Sequence, residues 1–222
     1  MNKATRYSII ISLMALVTSC NFSNTNTTSE QIIKSFHETD HLNLLTDINP
    51  QFEDAQVNAV IEIPAGTIDK WELNKNTGQI EWERIEDTPR KINYLGYPGN
   101  YGMIPKTLIP KHGGGDGDPL DILVLGPPAE RGDILRCKII GLLYLTDSGE
   151  QDHKLIAVSD TSVMYTMNSI SELDKNYQGI SEIIALWFTN YKASGLLKSE
   201  GYGSQKEALQ ILENALKDYA AN

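Results

Sequence analysis

From Val57 onward the chain alternates apolar and polar positions in short runs: VNAVIEI, IDKWEL and QIEWERI each predict a strand. The last two flank Asn74-Lys75-Asn76-Thr77-Gly78, a hairpin signal. LDILVLG and ILRCKIIGLLYL are almost continuously apolar and predict buried strands; HKLIAV follows after the polar connection TDSGEQD. In ISEIIALWFTNYKAS the spacing becomes helical, with Ile180, Ile184, Trp187 and Tyr191 on one face. Ser204 and Glu207 form a capping box ahead of a second helical run, EALQILENALKDYAA. Residues 31–48 predict a short helix sharing Ile33, Phe36 and Leu44 on one side. These elements imply a single compact β-core, a small barrel, with helices packed outside it and no internal repeat.

The amino terminus follows another pattern. Lys3 and Arg6 precede an uncharged stretch, Tyr7 to Ser19, too short to span a bilayer, which takes about 20 apolar residues. It reads as a secretory h-region. Its end, Leu16-Val17-Thr18-Ser19-Cys20, resembles the lipobox of bacterial lipoproteins, in which the Cys is lipidated and becomes the new terminus. The expected organisation is a signal peptide over 1–19, a lipidated terminus at Cys20 with a polar tether over 20–50, and one domain over 51–222. The expected location is exported and anchored to a bacterial membrane, facing the periplasm.

The chain has 222 residues, with 19 Lys+Arg against 29 Asp+Glu. Loss of Lys3 and Arg6 with the leader would leave 17 − 29 = −12, which argues against nucleic acid as a partner. Cys137 is the only thiol besides Cys20, so no internal disulfide is expected, and its apolar run makes it a core residue.

Against this background Asp116, Asp118 and Asp121 stand out, crowded behind three glycines and ahead of an apolar strand. Like charges so close oppose one another's ionisation unless a cation or solvent screens them. The plain alternative is an acidic turn, Gly-Asp-Gly-Asp-Pro. A calcium EF-hand loop beginning at Asp116 fails, because its sixth position is Asp121 and its twelfth Pro127. A second acidic pair, Asp147 and Asp152, lies on the connection between two strands and can face the first group if those strands are neighbours. Carboxylates with no Cys or His among them suit Mg²⁺. A rival zinc signal, His37-Glu38-Thr39-Asp40-His41, matches H-E-x-x-H, but it sits beside the polar tether without a compelling third ligand and reads as two solvated histidines.

Asp116-Gly117-Asp118-Pro119-Leu120-Asp121 resembles the D-G-D-P-x-D signature of family I soluble inorganic pyrophosphatases. The resemblance continues, in the family's order and over about residues 57–220, through VIEIP, IDKWEL, the ER at Glu83-Arg84, YPGNYG, D-x4-D-x-K at Asp147, Asp152 and Lys154, and NYK. It implies an α+β fold with a small closed, OB-like five-stranded β-barrel core flanked by C-terminal helices, and Mg²⁺-dependent hydrolysis of pyrophosphate to two orthophosphates. It further implies Asp116, Asp121, Asp147 and Asp152 as direct metal ligands, Glu62 and Glu72 holding metal through water, and Asp118 as proton acceptor. Lys70, Arg84, Tyr97, Tyr101, Lys154, Tyr191 and Lys192 would hold the phosphates. A homo-oligomer is expected. The segments Arg84–Tyr97 and Tyr101–Asp116 are longer than in familiar bacterial members. The rival classes are another metallohydrolase, with zinc at His37 and His41, and a non-catalytic cation-binding lipoprotein.

Overall fold

The computed structural model describes residues 42–52, 55–192 and 196–222; Cys20, His37 and His41 lie outside them, as does most of the segment 31–48. Where that segment is described, residues 44–47 form turns and not the expected helix. The Asn43 side chain accepts from the amides of Leu45 and Thr46, and Asp47 accepts from the Asn43 amide at 2.9 Å. Such local bonds compete with helical ones.

The strands are β1 (Gln56–Ile63), β2 (Trp71–Asn74), β3 (Gln79–Trp82), β4 (Arg84–Ile85), β5 (Thr88–Pro89), β6 (Asn100–Met103), β7 (Asp121–Leu125), β8 (Ile134–Asp147), β9 (Glu150–Gln151), β10 (Lys154–Ser159) and β11 (Leu197–Ser204). The helices are α1 (Ile170–Asn176), α2 (Ile180–Asn190) and α3 (Gln205–Ala220). The main sheet runs β1-β6-β7-β10-β8-β11, and β1 pairs with β8 as well, so the pairings of β1, β6, β7, β10 and β8 return to their starting strand. All are antiparallel except β7 with β10.

β8 is the hub. Its 14 residues pair with β1 over Ile134–Lys138, with β10 over Cys137–Leu143 and with β11 over Gly141–Asp147. Cys137 and Lys138 pair with both β1 and β10, and Gly141 to Leu143 with both β10 and β11, so both edges of β8 are occupied.

The continuous apolar runs reflect burial on both faces of the sheet. Ile122, Val124, Leu155 and Ala157 pack with Ala208, Leu212 and Ala215 of α3. The intervening Leu123, Leu125, Ile156 and Val158 pack with Ile184, Trp187 and Phe188 of α2. Complete burial of each such Leu or Ile contributes about 1.5–3 kcal/mol. Cys137 belongs to the first cluster, and burial raises its thiol pKa well above the ordinary value, as expected of an inert core residue. β1 and β6 approach so closely that a Cβ on Gly102 would stand 1.9 Å from the Val60 carbonyl oxygen.

The capping box forms as expected: the Glu207 amide donates to Ser204 Oγ, and the Ser204 amide donates to Glu207 Oε2 at 2.7 Å. Among the described residues no helix is long and apolar enough to cross a membrane.

Candidate active site

Parallel pairing of β7 with β10 places Ile122 beside Leu155, so Asp121 and Lys154, the first residues of these strands, emerge side by side. Both aspartate-bearing connections thereby meet at one end of the sheet. They line a cleft of about 430 Å³. Its walls are completed by Glu62 of β1, Lys70, Glu72 and Lys75 of the β2–β3 hairpin, Arg90, Tyr97, Tyr101, Tyr191 and Lys192.

The aspartate loop owes its shape to local chemistry. The Asp118 amide donates to Asp116 Oδ1 at 2.9 Å, and Gly117 sits at φ +86°, the left-handed region, with the Lys111 side chain 3.0 Å from where a Cβ would stand. Burial first, and then the Asp118 and Asp121 charges, raise the Asp116 pKa.

Ammonium groups hold the carboxylates apart. Lys154, only 2% exposed, donates to Asp121 and, at 2.5 Å, to Asp152. Burial would lower its pKa, but Asp121 and Asp152 outweigh burial and raise it. Lys192 pairs with Asp147, which also accepts from Ser148 Oγ at 3.1 Å. Lys75 pairs with Asp118. Lys70 donates to Glu72 at 3.1 Å. Glu62 is buried and accepts from the Leu73 amide at 2.7 Å; burial pushes its pKa up to about 8 against the opposing pull of Lys70.

Three tyrosines form the remaining wall around Trp187. Its ring lies 4.4 Å from Tyr97 and 4.6 Å from Tyr191, the latter nearly parallel, while Tyr97 and Tyr101 are 5.0 Å apart. Trp187 is anchored by donating from Nε1 to the Leu95 carbonyl at 2.9 Å. Burial raises the pKa of each tyrosine, so each presents a neutral hydroxyl.

Of the expected site residues, Glu62, Lys70, Glu72, Tyr97, Tyr101, Asp116, Asp118, Asp121, Asp152, Lys154, Tyr191 and Lys192 line the cleft. Asp147 lies beside it through Lys192. Arg84 does not line it. It belongs to the exposed β4–β5 hairpin and donates to the Asp87 carbonyl oxygen. The guanidinium at the cleft is that of Arg90, which no sequence motif singles out. The Arg90 amide donates to the Glu83 carbonyl at 2.8 Å, so residues 84–89 leave and re-enter the fold at one point. Without that hairpin, Arg90 would follow Glu83 directly. The hairpin turns at Glu86 and Asp87, both at positive φ, and a Glu-Asp pair lacks the Asn-Gly or Asp-Gly pattern that announces such a turn in a sequence. Lys75 carries no sequence signal either, because a lysine in a turn reads as a solvated charge.

Among the described residues no three carboxylates or histidines already converge as a metal cage. The donor set nevertheless fits a hard cation: the cleft is lined by carboxylates, with no Cys or His.

Known proteins are similar to this chain in sequence and in fold. The pyrophosphatase family model, described as inorganic pyrophosphatase, matches residues 59–220. The inorganic pyrophosphatase of Campylobacter jejuni is 34% identical over 168 residues, covering 74% of this chain and 92% of that protein. That of Ralstonia nicotianae is 35% identical, covering 73% and 90%. Among solved structures, the type I inorganic pyrophosphatase of Toxoplasma gondii superposes with a TM-score of 0.76 at 25% identity, covering 81% of this chain and 88% of that one. The Thermus thermophilus inorganic pyrophosphatase gives 0.68 at 28%, covering 81% and 99%. The neighbours share the OB-like sheet core with C-terminal helices. The chain belongs to the inorganic pyrophosphatase family.

Proposed function

We infer that this cleft hydrolyses inorganic pyrophosphate to two orthophosphates, with Mg²⁺ as its cation. The observation that carries the reading is the pairing, in one cleft, of a carboxylate set with a wall of Lys70, Arg90, Lys154, Lys192 and three tyrosines. A module that only bound cations would have no use for that second wall. A phosphoanhydride needs both.

Asp116, Asp121, Asp147 and Asp152 would hold Mg²⁺ directly, and Glu62 and Glu72 through water. The chemistry that bound Mg²⁺ supplies is neutralisation of phosphoryl charge and acidification of the attacking water. Asp118, on the exposed side of the aspartate loop, accepts the proton as the water oxygen bonds to phosphorus and the bridging P–O bond breaks. Arg90 presents a planar fork to the phosphate oxygens, Lys70, Lys154 and Lys192 present point charges, and Tyr97, Tyr101 and Tyr191 present neutral donors. These preorganised groups stabilise charge as it moves onto the leaving phosphate.

The test is phosphate release from pyrophosphate with Mg²⁺ against a chelated control. Release that chelation abolishes is expected; no release, or release indifferent to chelation, refutes the reading.

Export and lipidation at Cys20 belong to the same proposal, supported by the charged, apolar and small-residue order of the leader. Mass spectrometry of the mature amino terminus reads it directly. Assembly into a homo-oligomer is read by sedimentation.

A further inference from the structure

We propose that Lys75 is a phosphate-binding residue of this cleft, one that rests on Asp118 until pyrophosphate draws it away. The inference rests on the pyrophosphatase reading of the cleft and adds a residue to it.

The backbone under Lys75 is fixed. The Asn76 amide donates to Asn74 Oδ1 at 2.9 Å and the Gly78 amide to the Asn74 carbonyl at 2.8 Å. The turn is tied down from outside as well, by the Leu44 amide on the Gly78 carbonyl at 2.8 Å and Gln79 Nε2 on the Leu42 carbonyl at 2.7 Å. From this base the flexible side chain of Lys75 reaches the Gly117 carbonyl at 2.9 Å and the Asp118 carboxylate.

Its situation differs from that of the other lysines at the cleft. The side chains of Lys154, Lys70 and Lys192 are 2%, 13% and 28% exposed, and each is held by wall carboxylates. Lys75 is 47% exposed, and its partner Asp118 is 52% exposed. An ion pair so open to water is weak and is exchanged at little cost. Pyrophosphate carries several negative charges against the single one on Asp118, so a compact ammonium already at the mouth transfers to a phosphate oxygen. The exchange costs only this exposed pair, while the ammonium gains a phosphate oxygen.

The test uses the full chain and methylenediphosphonate, a pyrophosphate analogue whose P–C–P bridge water does not cleave, titrated calorimetrically with Mg²⁺ present. Lys75→Met is expected to bind the analogue about 10-fold more weakly and Lys75→Arg within about threefold of the parent. In turnover, KM for pyrophosphate should rise by a similar factor while kcat changes less than about threefold. Analogue affinity unchanged in Lys75→Met overturns the inference. So does a loss confined to kcat, which would mean that Lys75 only sets the surroundings of Asp118. If Lys75→Met melts several degrees below the parent, Lys75→Gln replaces it under the same criteria. An inactive parent would sink the pyrophosphatase reading itself, whereas an active parent with analogue binding indifferent to Lys75 sinks this inference alone.

Discussion

Arg90 turns its guanidinium onto Glu83, with Nη1 2.7 and 2.9 Å from the two carboxylate oxygens, although a whole hairpin separates them in the chain. The contact holds Arg90 at the cleft and leaves Arg84 outside. Removing one preorganised donor from such a site costs about 10²–10³ in rate. Arg90→Ala should therefore lower kcat/KM by about 100-fold, and Arg84→Ala should stay within about twofold. Steady-state kinetics on both variants decides which arginine serves the reaction; the reverse order would return the role to Arg84.

Asp118→Asn preserves shape and removes the proton acceptor. Turnover should fall by about 10²–10⁴, the usual contribution of a general base, while KM for pyrophosphate stays within a few-fold. Full activity at neutral pH would remove Asp118 from the mechanism.

Asp121 is the residue through which Lys154 meets the aspartate loop. Asp121→Asn should shift the Mg²⁺ concentration for half-maximal activity upward by about tenfold. His37→Ala and His41→Ala should leave both activity and the Mg²⁺ titration unchanged. A Mg²⁺ curve insensitive to Asp121, or activity lost with either histidine, would redirect attention to the zinc alternative.

Glu207 offers a pH test away from the cleft. Its hydrogen bonds with Ser204 and Tyr144 hold its carboxyl below the usual range. A depressed folded pKa means that stability from the ionised form is present above the unfolded value and lost as pH falls through the folded one. Glu207→Gln should thus be less stable than the parent at pH 7, with the gap closing below about pH 4. Urea midpoints at the two pH values provide the comparison, and a gap independent of pH would contradict the linkage.

Much of this was legible in advance because the relevant forces are local. Apolar runs mark β7, β8 and β10, the turn Asn74–Gly78 marks the β2–β3 hairpin, and Ser204 with Glu207 marks the start of α3. The acidic loops were legible too, since crowded aspartates ahead of a buried strand demand a reason. Arg90 was not, because adjacency along the chain favours Arg84, and only the backbone bond between residues 83 and 90 brings Arg90 to the cleft instead. Nor was Lys75, whose significance lies in how far a turn reaches across space. Residues 44–47 mislead in the opposite sense: Leu44 is buried as a helix face would require, but Asn43 and Asp47 take the backbone bonds a helix needs.

With neighbours along both of its edges, β8 is held by β1, β10 and β11 together, and no single one of them releases it by peeling away. Partial fraying can release the β4–β5 hairpin, yet the amides from Ile139 to Leu143 become available to deuterium only when the entire sheet comes apart. Their exchange rate is therefore a direct gauge of global unfolding. Because the cleft draws residues from Glu62 to Lys192, catalytic competence is lost in that same event, and no piece of the chain cut across β8 should retain it.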